Sequence, residues 1–149
     1  MNTERKGMIN SISSLDVVLA VYIRSAEWRR GLNFISEDKD AIQTGLWQYD
    51  RGKKLGPHRH VGNMRNIDRT QEVIFVKSGS LRVSIYSESE ELVEKLILNA
   101  GDLVILLSGG HGYEVLENET QVLEVKNGPY TGLDDRIPFH EDTLEPKGD

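Results

Sequence analysis

His58, His60, Glu72 and His111 are the residues of this chain whose types and spacing could do chemistry. Three imidazoles and a carboxylate suit a divalent first-row metal that keeps one or two coordination positions open for water or substrate. His58 and His60 are two residues apart, so an extended strand would point both rings to the same side. Glu72 opens the apolar run Val73-Ile74-Phe75-Val76, and His111 lies within Ser108-Gly109-Gly110-His111-Gly112. On a strand Glu72 shares a side with Ile74 and Val76, where an unpaired charge would be costly and a metal would compensate its burial.

The elements that must position these side chains read as strands. The continuous run Val17 to Ile23 suits a strand buried on both faces, and Leu32 to Ile35 and Ile42 to Tyr49 read as the next two. Gly52 and Gly56-Pro57 then turn the chain into His58. From Gln71 onward the pattern predicts strands over Glu72 to Lys77, Leu81 to Tyr86, Leu92 to Leu98, Leu103 to Leu107, Tyr113 to Leu116 and Gln121 to Lys126. Leu81, Val83 and Ile85 alternate with Arg82, Ser84 and Tyr86, the mark of one buried and one wetter face. Turns fall at Ser78-Gly79-Ser80, Ala100-Gly101-Asp102, Gly109-Gly110 and Glu117-Asn118-Glu119. Strands at this spacing predict an all-β sandwich or barrel. Val61 to Gln71 and the stretch from Thr131 to Asp149 lie outside this rhythm, and the acidic, Pro-containing end suits a solvated tail that includes His140.

Length and composition bound the reading. The chain has 149 residues, 38% of them hydrophobic, enough for one domain with a sizeable core. A net charge of −6 argues against general nucleic-acid binding, which needs a basic face. With no cysteine, thiolate ligands and disulfides are both excluded, leaving imidazole and carboxylate as metal donors. The apolar stretch Leu15 to Ile23 is too short to span a bilayer, and the charged start lacks a signal-peptide pattern, so a cytoplasmic, non-membrane protein is the expectation. No phosphate-cradling loop, serine nucleophile elbow or zinc-protease helix is present in the sequence.

The spacing of these residues resembles the cupin family. That family's first motif is Gly, five residues, His-x-His, three or four residues, Glu, six residues and Gly. Gly52, His58-Arg59-His60, Glu72 and Gly79 match it, with eleven residues between His60 and Glu72 in place of three or four. The six residues before Gly79 favour Glu72 over Gln71 as the carboxylate. The second motif is Gly, five residues, Pro-x-Gly, two residues and His. Gly101 and Gly109 match, Leu107 replaces the Pro, and His111 arrives one residue early. The segment around Gly109 to Tyr113, with Glu124 to Tyr130 after it, is further similar to small single-domain cupins associated with polysaccharide and sugar-nucleotide biosynthesis.

The resemblance implies an all-β, jelly-roll-like double-stranded β-helix barrel. Residues 17–139 would form it, 1–16 would be an N-terminal extension and 140–149 an acidic tail. It implies that His58, His60, Glu72 and His111 hold a divalent iron, manganese, nickel or zinc ion, acting on a small anionic or carbohydrate-like substrate as an isomerase or epimerase. A non-catalytic sugar-binding module and an iron-dependent dioxygenase are the alternatives. Tyr113 and Glu114 are the local candidates for a proton-transfer residue. Arg59, Arg65 and Arg69 lie near the expected mouth, where they either hold an anionic substrate or pair with some of the 24 acidic side chains. Trp47 and Tyr49 either line the pocket or pack the core. Edge strands such as Val17 to Ile23 would leave backbone groups unpaired, which predicts a homodimer.

Overall fold

The computed structural model describes residues 9–132 and 135–139. The chain is all-β, with every strand pairing antiparallel. In order the strands are β1 (Asn10–Ser14), β2 (Val17–Ile23), β3 (Gly31–Phe34), β4 (Gly45–Gln48), β5 (Glu72–Ser78), β6 (Ser80–Tyr86), β7 (Leu92–Asn99), β8 (Leu103–Leu106), β9 (Gly110–Val115) and β10 (Gln121–Lys126). They form a five-stranded sheet ordered β1-β2-β8-β5-β10, a three-stranded sheet β7-β6-β9 and the β3–β4 ribbon. Among the described residues no ladder joins these sheets into a closed barrel.

The central strands of the large sheet read as unbroken apolar runs because both of their faces are covered. In β8, Val104 and Leu106 point to one core and Leu103 and Ile105 to the other. The first core lies against the small sheet, where Ile74 and Val76 meet Leu81, Val83, Ile85, Leu96 and Leu98. The second lies on the opposite face, where Val73 and Ile105 share a cluster with Leu46 of β4 and Ile35, the residue after β3. Each such side chain contributes roughly 1.5–3 kcal/mol when fully buried, so β5 and β8 are the best-anchored strands in the fold.

Three expectations about the N-terminal half are corrected. Asn10–Ser14, read as part of an extension, is a strand of the large sheet that pairs with β2. The hairpin turns through Leu15 and Asp16, both at positive φ, 47° and 64°. That is the two-residue geometry matching strand twist, which is ordinarily signalled by Asn-Gly or Asp-Gly. In consequence β2 is an interior strand between β1 and β8, and the sheet edges are β1 and β10. The predicted strand over Ile42 to Tyr49 shortens to Gly45–Gln48. Tyr86, expected on the wetter face, is buried because Phe139 packs edge-on against its ring at 5.2 Å. Residues 140–149, with His140, lie outside the described residues, as do residues 1–8. No helix among the described residues is long and apolar enough to cross a membrane.

Candidate functional site

Glu72 begins β5 on the side facing the first core, in phase with Ile74 and Val76, as the alternation predicts. Across the ladders it stands opposite Leu106 of β8 and Lys126 of β10. On the small sheet, His111 and Tyr113 of β9 pair with Ile85 and Val83 of β6, two residues of the same core. They therefore project from the second sheet toward the first. Glu72 is the carboxylate at which the two sheets meet.

The contacts are specific. Tyr113 donates its hydroxyl to Glu72 Oε2 at 3.1 Å, and His111 Nε2 lies 3.2 Å from the same oxygen. Lys126 Nζ lies 2.9 Å from Oε1 and 2.8 Å from Glu124 Oε1. Burial alone would push the Glu72 carboxyl upward. Hydrogen bonds from His111 and Lys126, reinforced by their charge, outweigh it and hold the group at about 2. Burial, followed by the charge and hydrogen bond of Glu72, pushes the Tyr113 phenol well above its ordinary range. Hydrogen bonds to Glu124 and then Glu72 push Lys126 upward. Near neutral pH the centre is thus an ionised carboxylate ringed by a phenol donor, an ammonium and an imidazole.

His111 and Glu72 open onto a pocket of about 280 Å³. Its other wall is Arg69, Thr70, Glu88 and the Leu106–Gly109 segment. Arg69 ion-pairs with Glu88 and donates to the Ser108 hydroxyl. Lys126 is shared by Glu72 and Glu124, and Arg69 by Glu88 and Asp68, so the pocket walls are polar and carboxylates outnumber the cations beside them.

The other expected residues fall elsewhere. His58 and His60 lie in residues 49–71, which contain no strand or helix, so the strand expected to carry them is absent. Their rings meet edge to face, with centroids 5.2 Å apart, but both side chains are exposed and His58 Nδ1 contacts the Gly56 carbonyl. The physical reason is local: this stretch has Gly52, Gly56, Pro57 and Gly62 and little alternation, and it has no partner strand. Arg59 and Arg65 are exposed on the same segment, leaving Arg69 as the one expected arginine in the pocket wall. Trp47 and Tyr49 pack against each other with centroids 5.9 Å apart, Trp47 is exposed, and neither lines the pocket. Glu114, the alternative proton-transfer candidate, faces away from the site because it alternates with His111 and Tyr113, and it ion-pairs with Arg82.

Fitness for a metal follows from this geometry. Two ligands about 2.0–2.2 Å from one ion stand roughly 3 Å apart, and the Glu72 Oε2 to His111 Nε2 distance of 3.2 Å agrees with that. The remaining donors do not converge: among the described residues no group of three or more His, Asp or Glu side chains could hold an ion. The second carboxylate oxygen already faces an ammonium group. As arranged, the residues do not fit a complete metal site.

Sequence reading missed Lys126, Glu88 and Ser108. Lys126 alternates with Glu124, which hints at a shared face, but its contact with Glu72 depends on the register between β10 and β5. No protein-family model matches this chain, and no curated protein or solved structure matches it.

Proposed function

We propose that this chain is a cupin-like protein that takes a small carbohydrate-like molecule, neutral or anionic, into the pocket at Glu72 and His111 and holds or moves a proton on it. The observation that carries the reading is a buried carboxylate whose two oxygens are held by His111, Tyr113 and Lys126 at the wall of an open polar pocket. Buried polar groups with convergent partners in a cleft mark binding sites, because so costly an arrangement is otherwise avoided. Resemblance to small cupins puts the substrate within sugar-nucleotide or surface-polysaccharide metabolism.

Roles follow from the chemistry of each group. Glu72, held at about 2, is too weak a base to accept a proton near neutral pH and serves to orient its partners. With Nε2–H of His111 turned to that carboxylate, Nδ1 is the ring nitrogen left to take up or hand on a proton. Tyr113, held protonated, is a hydrogen-bond donor. Isothermal titration calorimetry with a panel of hexoses, hexuronates and nucleoside-diphosphate hexoses tests the assignment. At least one compound should bind, with Glu72→Gln weakening it about tenfold or more and Arg59→Ala leaving it within about twofold. Absence of binding across the panel, or equal binding to Glu72→Gln, would overturn the reading.

A second reading, a divalent metal shared by the four residues, is favoured by two half-sets: the Glu72–His111 pair at ligand–ligand distance and the neighbouring rings of His58 and His60, with centroids 5.2 Å apart. It requires residues 49–71 to fold over the pocket. Elemental analysis of untagged protein decides it: near-stoichiometric metal lost in both His58→Ala and Glu72→Ala supports it, and no metal after reconstitution removes it.

A further inference from the structure

At the outer wall of the pocket a single carboxylate oxygen occupies a set of anion donors. Glu88, on the β6–β7 turn, directs Oε1 at Arg69 Nη1, 3.4 Å away, and at the backbone N–H of Gly109, 3.3 Å away. Arg69 Nη1 also donates to Ser108 Oγ, which frees the Ser108 hydroxyl hydrogen to donate in turn. A guanidinium and an amide N–H converging on one oxygen, with a hydroxyl bound to the same guanidinium nitrogen, is the donor chemistry of carboxylate and phosphate recognition.

Two features distinguish this arrangement from an ordinary structural ion pair. The Glu88 bonds are at the long end of hydrogen-bond range, and its side chain is 64% exposed, so little holds it there. The backbones that carry the donors, by contrast, are held in place. Gly109 sits at φ +68°, and a Cβ there would lie 2.2 Å from the Tyr86 carbonyl oxygen, so only glycine can present this N–H at the head of β9. Arg69 is tied through its own carbonyl, which accepts from the Asn127 side chain.

We infer that Arg69, Ser108 and the Gly109 N–H form an oxyanion subsite of the pocket, with Glu88 as a displaceable internal occupant, so that the preferred ligand carries a carboxylate or a phosphate beside its hydroxyl groups. This rests on the reading of the pocket as a carbohydrate-like site and adds which member of that class it takes. The anion displaces Glu88, the second residue of the β6–β7 turn, into solvent and replaces a loosely held carboxylate with one positioned by the rest of the ligand.

Three probes share one hexose and differ at a single group: D-glucose, D-glucuronate and D-glucose 6-phosphate. Titrated into ¹⁵N-labelled protein, the anionic sugars should shift the Gly109 amide and D-glucose should not. Glu88→Ala should tighten the anionic probes about tenfold, and Arg69→Met should weaken them by a similar factor. Asp68→Asn removes a charge 3.8 Å from Arg69 without freeing the Gly109 N–H, so it should change affinity by less than about twofold. Equal gains in Glu88→Ala and Asp68→Asn would reduce the effect to net charge and overturn the inference. So would a Gly109 amide that none of the probes moves. If D-glucose and the anionic sugars bind equally and Glu72→Gln weakens all three, the pocket reading stands and the subsite alone is lost. A preference for the phosphate or for the carboxylate identifies the source of the anion.

Discussion

Glu72 and His58 hold equivalent rank in the sequence motif, yet the fold treats their surroundings in opposite ways. Glu72 stands on β5, paired on both sides and buried with Ile74 and Val76 beneath it. His58 and His60 stand on residues 49–71, with no ladder and almost no burial. The difference teaches that a donor set readable from spacing becomes a site only where strand register supplies the supporting shell. On β5 the shell comes from β9 and β10, whose His111, Tyr113 and Lys126 converge on one carboxylate. On the 49–71 segment no neighbouring strand offers the equivalent. Irregular connections of that length in compact domains commonly serve as binding loops or lids, which fits a segment that carries two histidines and four arginines beside the site strand.

The contrast is sharpest in stability. Truncating Ile74→Ala beneath the site should cost about 2–5 kcal/mol, measured by denaturant unfolding. Glu72→Gln removes the charge that pairs Lys126 while leaving His111 and Tyr113 a weaker acceptor, and should cost about 2 kcal/mol. The double variant His58→Ala/His60→Ala should stay within about 0.5 kcal/mol of wild type. A histidine pair as costly to remove as Glu72 would erase the distinction between the two regions.

Acid dependence probes the same difference through charge. The Glu72 carboxyl lies at about 2 in the fold against an ordinary 4.5, so it favours the folded state above 4.5 and gives up that contribution as pH falls toward 2. Wild type should therefore lose more stability than Glu72→Gln between about pH 4.5 and 2, by up to about 3 kcal/mol. Parallel pH profiles for the two proteins would contradict the buried-carboxylate account. The smallest expected signal is kinetic: backbone amides of residues 49–71 should exchange with solvent far faster than those of β5 and β8, read by native-state hydrogen exchange. Strong protection there would mean that the segment packs down over the pocket.

Much of the fold was legible in the sequence because its strands are strongly patterned. Leu81, Val83 and Ile85 announced one buried face, and Val17 to Ile23 announced a strand covered on both, with Leu19 and Ala20 in one core and Val21 and Ile23 in the other. Glu72 was recognisable as a carboxylate in phase with core residues, and the turn before His111 by its glycines. What was illegible depended on pairing. Lys126 meets Glu72 through the β10–β5 register, which neither strand encodes alone. Glu88 reaches Gly109 through the return of a turn from another strand pair. β1 was missed because Leu15-Asp16 is an unusual sequence for a turn with two positive φ angles. The His58–His60 strand was expected from the two-residue spacing alone, without the alternating neighbours and partner strand that a ladder needs.

Direct observation of Glu72 tests the account at its centre. Carboxyl ¹³C chemical shifts followed by NMR from pH 7 downward should show Glu72 titrating near 2 in wild type, with the midpoint rising in both Lys126→Met and His111→Gln. A Glu72 midpoint at or above the ordinary 4.5, insensitive to those two substitutions, would mean that the carboxylate is not held by its ring of donors, and the site built on it would fall.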